Sequence, residues 1–183
     1  MYLLYIAKNK IEIFKNQLKI SEVSWTKENL NSIFSQLKKN FSSHFRVLLS
    51  DQYINITSLL VSPKESNKRR LIQAKAQVTI DQDLNEVVWD YKVVANLGKS
   101  KLVQIIYVDK LFFNQLRNAL SIAKIKIKLI ESVSTSLCRF LPKNKLIFLL
   151  HQNLIIICFN RTPIYSKTLD NKLTQADIEE IFT

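Results

Sequence analysis

The chain has 183 residues, 47% of them hydrophobic, and a formal net charge of +12 from 27 Lys and Arg against 15 Asp and Glu. That length and apolar content suit one domain, or two small lobes, with a real core, and exclude a disordered chain. A single glycine, Gly98, excludes the glycine-rich phosphate loops of several nucleotide-binding motifs, because those loops need glycines to let the backbone approach the ligand.

In chain order, strands are expected at "YLLYIA", "KIEIFKNQ" and "LKISEVSW". A helix follows from Thr26, because Leu30, Ile33, Phe34, Leu37 and Phe41 recur at three- and four-residue spacing and form one stripe. "HFRVLLS" and "YINITSLLV" are strands split by Ser50-Asp51-Gln52. Residues 64–78 read as a basic helix after Pro63. "EVVWDYKVVA" and "KLVQIIYV" form a hairpin around "NLGKS", and a helix runs from Asp109 to Ala123 with Phe112, Phe113, Leu116 and Leu120 on its apolar side. "IKIKLIE" alternates as a half-buried strand does. A short helix, 133–141, is stopped by Pro142.

The run "KLIFLLHQNLIIICFN", 145–160, is almost wholly apolar. It falls short of the roughly 18 residues a spanning helix needs, and His151, Gln152 and Asn153 at its middle suit a turn better than a bilayer centre. The expectation is a hairpin buried on both faces. "PIYSKTL" adds a third strand, and Thr174-Gln175-Ala176-Asp177 reads as the capping box of a last short helix. The start, "MYLLYIAKNK", has its charges after rather than before the apolar stretch and no small-residue cleavage site, so it does not read as a signal peptide. The chain is expected to be soluble, whether whole or as a piece of a longer, anchored protein. Hairpins mixed with helices indicate an α/β or α+β fold.

Chemistry-bearing patterns are few. Gly98-Lys99-Ser100 lacks the glycine five residues earlier, where Val93 stands, and precedes a strand, so it reads as a hairpin turn. His44 and His151 fit no metal-ligand spacing. Cys138 and Cys158 sit in apolar surroundings and are expected as buried thiols. Asp81, Asp83 and Glu86 cluster among turn residues with no partner base. No catalytic, cofactor or metal site is expected. The densest basic segment, Lys64, Lys68, Arg69, Arg70 and Lys75, is the candidate surface for an anionic partner, with a merely solvated helix face as the plain alternative. Nucleic acid is disfavoured, because the aromatics lie within apolar runs rather than among these charges.

The order of "FRVLLSDQYINITSLLV", the basic helix, "EVVWDYKVV", "VQIIYVDKLFFNQLRNALSIAKIKIKLIESVSTSLCRFL" and "NKLIFLLHQNLIIICFNRTPIYSKTL" resembles one family, over about Phe45 to Leu169. It is that of PilM, the actin-like cytoplasmic protein of type IV pilus assembly, and its relative, the cytoplasmic domain of the type II secretion protein GspL. Asp90-Tyr91 matches the family's "DY" strand, and Glu131 the acidic residue of its later helix–strand unit. The resemblance implies an α/β, partial actin-like (ribonuclease H-like) fold with an inserted small α+β subdomain and mixed sheets with flanking helices. It divides the chain as 1–44, the start of the first lobe; 45–123, the insert; and 124–183, the return to the lobe.

The resemblance also places Asp-x-Gly phosphate loops of actin-like ATPases at Tyr5–Lys10 and Leu149–Leu154. Neither stretch has the glycine or the acidic residue that would hold Mg²⁺. The chain is also expected to stop where the second half of an actin-like fold would begin. The implied function is therefore that of a non-catalytic adaptor, cytoplasmic and peripheral to the inner membrane. Its implied partners are the cytoplasmic tail of a pilus or secretion platform protein and the assembly ATPase. An anionic membrane surface and a second copy of the chain are further candidates. Two alternatives stand beside it: a nucleotide-binding actin-like ATPase domain whose loops lie elsewhere, and a basic nucleic-acid-binding module.

Overall fold

The structure is a computed structural model that describes residues 2–41, 44–151 and 153–169; the capping box at Thr174 lies outside them. β1 (Tyr2–Ile6), β2 (Lys10–Lys15) and β3 (Leu18–Ser24) make an antiparallel meander. α1 (Leu30–Asn40) carries the chain across to β4 (His44–Leu49), which pairs parallel to β1. β5 (Ile54–Val61), α2 (Arg69–Thr79), β6 (Val87–Leu97) and β7 (Ser100–Asp109) follow. α3 (Lys110–Ile122) then returns the chain to β8 (Lys126–Ser132), parallel to β4. α4 (Val133–Cys138) and the meander β9 (Leu146–His151), β10 (Leu154–Phe159) and β11 (Thr162–Thr168) end the described chain.

Two sheets result, ordered β3-β2-β1-β4-β8 and β6-β7-β5-β11-β10-β9. The two parallel pairs of the first sheet require crossovers, and α1 and the excursion that ends in α3 supply them. Leu4 and Ile6 lie beside Val47 and Leu49 in register. With Ile11, Ile13, Phe34 and Phe45, all fully buried, they seal this sheet against α1 and α3. A second cluster packs Ile72 and Ala76 of α2 on Val103 and Ile105, and a third packs Cys138 of α4 on Leu154, Ile156 and Cys158. Both cysteines are buried free thiols, as their apolar surroundings predict.

Sheet membership does not follow the three segments 1–44, 45–123 and 124–183. β4 is the fourth strand of the first sheet, and β9, β10 and β11 extend the sheet that β5, β6 and β7 begin. That extension is thin: β11 meets β5 through the single registered pair Ser166 and Ile56.

Three local expectations need correction. The first helix begins at Leu30, not Thr26, because the Thr26 amide is taken by Asn29 Oδ1 at 2.8 Å in a separate turn. The basic helix begins at Arg69, not residue 64, because Glu65 accepts the Ser62 amide at 2.8 Å and the Ser66 hydroxyl bonds Pro63 O at 2.8 Å. The β9–β10 hairpin is not buried on both faces. β10 is buried, but β9 has a strand on one side only, and Leu146 and Leu150 are 54% and 53% exposed. Among the described residues no helix is long and apolar enough to cross a membrane.

Candidate functional site

The two sheets face each other across a cleft of about 440 Å³, lined by Tyr5, Lys10, Glu12, Asp51, His151 and Asn153 among others. Both stretches where the family resemblance places phosphate loops border it. The first is the β1–β2 turn, whose carbonyls are bonded within the protein. The Ala7 amide donates to Lys10 O at 2.9 Å. Ala7 O accepts the Trp25 indole N–H at 2.7 Å, Lys8 O the Tyr53 hydroxyl at 3.1 Å, and Asn9 O the Trp25 amide at 3.1 Å. Tyr53 stacks on Phe112 with centroids 4.2 Å apart, and Trp25 lies 6.2 Å from Tyr53, so an aromatic cluster backs the turn. A phosphate cradle presents free N–H groups backed by glycine; here the Trp25 indole, the Tyr53 hydroxyl and the Trp25 amide draw the turn's carbonyls onto the core.

The floor beside the turn is a charge network. Glu12 is 9% exposed, and its carboxylate takes Lys10 Nζ at 2.8 Å and Lys19 Nζ at 3.3 Å. Glu22 takes Lys19 at 2.8 Å. The Lys10 ammonium holds the Glu12 carboxyl below the usual carboxylate range, despite burial. Because Glu12 is ionised and these lysines are paired to it and to Glu22, an incoming phosphate gains little there.

The second stretch is the β9–β10 turn. Leu154 pairs with His151, and Asn153 fastens the turn to the end of β11: its Nδ2 donates to Leu169 O, and the Leu169 amide donates to Asn153 O, each at 2.8 Å. Between the two stretches sits Asp51, in the turn after β4 and 6% exposed. It accepts the Ser134 amide at 3.0 Å, the Ser134 hydroxyl, and the Ser166 hydroxyl at 3.4 Å. One carboxyl therefore ties the first sheet to α4 and β11, where the strand pairing alone is weak. Burial pushes its pKa up, and the Ser134 bonds oppose that.

The basic segment is less available than its sequence suggests. Lys64 and Lys68 are exposed before α2 and Arg70 is exposed in its first turn. Arg69 lies over the Trp89 ring at 4.4 Å, pairs with Asp90 at 3.2 Å and bonds Trp89 O at 3.3 Å. It thereby covers an edge carbonyl of β6. Lys75 pairs with Glu65 at 3.0 Å. Two of the five cations are thus occupied by carboxylates. Glu131 is likewise internal, shared by Arg46 at 3.3 Å and Arg139. Gly98, at φ +63°, forms the β6–β7 turn with Leu97 paired to Ser100, so no phosphate loop stands there.

A feature that no local pattern announced lies on the face of the second sheet opposite α2. Lys92 of β6, Arg139 after α4 and Arg161 of the β10–β11 turn line a cleft of about 350 Å³, with Gln104 and Pro163 in its walls. These three cations are separated by 47 and 22 positions in the chain, so only the topology brings them together. The one sequence signal is Asn160-Arg161 in a two-residue turn, where Asn-Gly is preferred.

No family model and no curated protein matches the chain by sequence. Solved structures do match by fold. A chain of the PilM-PilN type IV pilus biogenesis complex superposes with a TM-score of 0.65 at 13% identity, over 97% of this chain and 62% of that one. The cytoplasmic domain of EpsL, an inner membrane component of the type II secretion system of Vibrio cholerae, superposes with a TM-score of 0.58 at 16% identity, over 91% of this chain and 70% of that one. The chain thus spans under two thirds of the length of the first and has the PilM/GspL-like, actin-type fold that the order of its elements suggests.

Proposed function

We propose that this chain is a non-catalytic adaptor that works on the cytoplasmic face of an inner membrane, in a type IV pilus or type II secretion platform. It docks the cytoplasmic tail of a membrane partner and contacts the assembly ATPase. The single observation that carries the non-catalytic part is the β1–β2 turn, whose carbonyls are capped by Trp25 and Tyr53 beside the Lys10–Glu12 pair. The likeness of fold to two secretion and pilus components supports the setting. The +12 charge suits an anionic leaflet, where each nearby Lys or Arg contributes about 1 kcal/mol.

The test is capture. The immobilised chain is exposed to detergent-solubilised membranes and cytosol of its source cell, washed at moderate salt, and the retained proteins are identified. Inner-membrane pilus or secretion proteins, or an assembly ATPase, are the expected result. Nucleic acid and its usual companions alone would refute the adaptor reading. Vesicles with and without anionic lipid test the leaflet: equal binding to both removes that element.

A further inference from the structure

We infer that the cationic cleft bordered by Lys92, Arg139 and Arg161 is a docking site for an acidic peptide segment, whose side-chain carboxylates pair with Lys92 and Arg161, Arg139 being already held by Glu131. Each cation stands on a different element and is held at its own point. Arg139 is fixed by Glu131, Arg161 Nε donates to Leu141 O at 2.8 Å, and Lys92 Nζ lies 3.4 Å from Thr162 Oγ1. Held apart in this way, they suit charges spaced along an extended chain better than one compact oxyanion. The Arg161 fork keeps its two terminal nitrogens for a ligand after the Nε bond, and a guanidinium matches a carboxylate with two parallel bonds.

Three cations and one carboxylate, Asp90, line the cleft, so the local charge balance favours an anion. Asp90 and Glu131 are already met by Arg69, Arg46 and Arg139, whereas Lys92 and Arg161 have no carboxylate partner among the described residues. The wall is built rather than incidental. Gln104 is 3% exposed, and its amide donates to Pro163 O, fixing the strand that follows Arg161.

The turn itself adds a second observation. Asn160 and Arg161 have φ of +52° and +63°, with Phe159 paired to Thr162 across them. Glycine fits the second of these positions without strain, and arginine does not. Asn16-Gln17 is a comparable turn without glycine, so the strain alone marks nothing. What sets Arg161 apart is that its side chain borders this cleft.

The inference rests on the adaptor reading only in taking the occupant to be a protein segment. It is tested by fluorescence anisotropy with a labelled, blocked octapeptide of alternating Glu and Ser, and with its Gln-Ser counterpart, at physiological salt. The variants are Arg161→Gly, which gives the turn its preferred residue and so keeps the fold, and Lys64→Gln, which removes one equal charge elsewhere. Arg161→Gly is expected to weaken the Glu-Ser peptide by about tenfold with an unchanged or raised melting temperature, and Lys64→Gln by less than about twofold. Equal losses in the two variants, or equal binding of the Gln-Ser peptide, would reduce the effect to net charge and overturn the inference. So would displacement by inorganic phosphate with a peptide affinity indifferent to Arg161. Capture of platform proteins by Arg161→Gly at the wild-type level would leave the adaptor reading standing and remove this cleft from it.

Discussion

Asp51 is the residue on which the joint between the sheets turns. Its folded pKa is raised by burial above the ordinary 3.8, so the folded state holds its proton more tightly than the unfolded chain does. Stability from this group is therefore greatest at low pH and declines as pH rises from near 4 through the folded pKa. Glu65 has the opposite sign. The Ser62 amide, then Lys75, hold it down at about 2. Its contribution is complete above its ordinary value of 4.5 and is lost as pH falls toward 2. Denaturation of the wild type and of Asp51→Asn across that range checks this: the decline with rising pH above 4 should disappear in Asp51→Asn. An unchanged slope would show that the carboxyl is not the group responsible. Neither network was legible in the sequence. Asp51, Ser134 and Ser166 are separated by 83 and 32 positions, and no short-range pattern reports a bond made by topology.

At the scale of elements, apolar patterning located the eleven described strands and four described helices, most of them by a repeat of 2 or about 3.6 and β9 and β10 by a continuous apolar run. It failed where a boundary is set by side-chain bonds, as at Asn29 and Glu65, which hold turns that precede α1 and α2. It failed again at β9. A continuous apolar run cannot say whether a strand is central or at an edge, since that depends on which strands lie beside it. The distinction has a measurable consequence. Leu150→Lys, on the exposed side of β9, should change stability by no more than about 0.5 kcal/mol. Ile156→Ala, fully buried one strand inward, should cost about 2–5 kcal/mol. Urea denaturation of both decides it, and a severe loss in Leu150→Lys would mean that β9 is covered.

At the scale of the whole molecule, the fold and the proposed work separate. The order of strands and helices was enough to indicate an actin-type fold, and the missing glycines were enough to question its nucleotide loops. What occupies the first of these stretches became visible only in three dimensions. A tryptophan 18 residues downstream and a tyrosine 46 residues downstream close the first turn, and a lysine–glutamate network fills the floor beside it. The cationic cleft was invisible for the same reason, while the basic run at 64–75 that the sequence advertised is partly spent on Asp90 and Glu65.

The measurement that tests this account most directly is the melting temperature of the chain with and without millimolar Mg-ATP. A nucleotide at 100 times its Kd stabilises a fold by about 2.7 kcal/mol, which for a chain of this size is a rise of about 5–11 °C. The closed turn predicts no shift. A rise of that size, saturating with ATP and absent with Mg²⁺ alone, would show that the cleft binds nucleotide and would contradict the account.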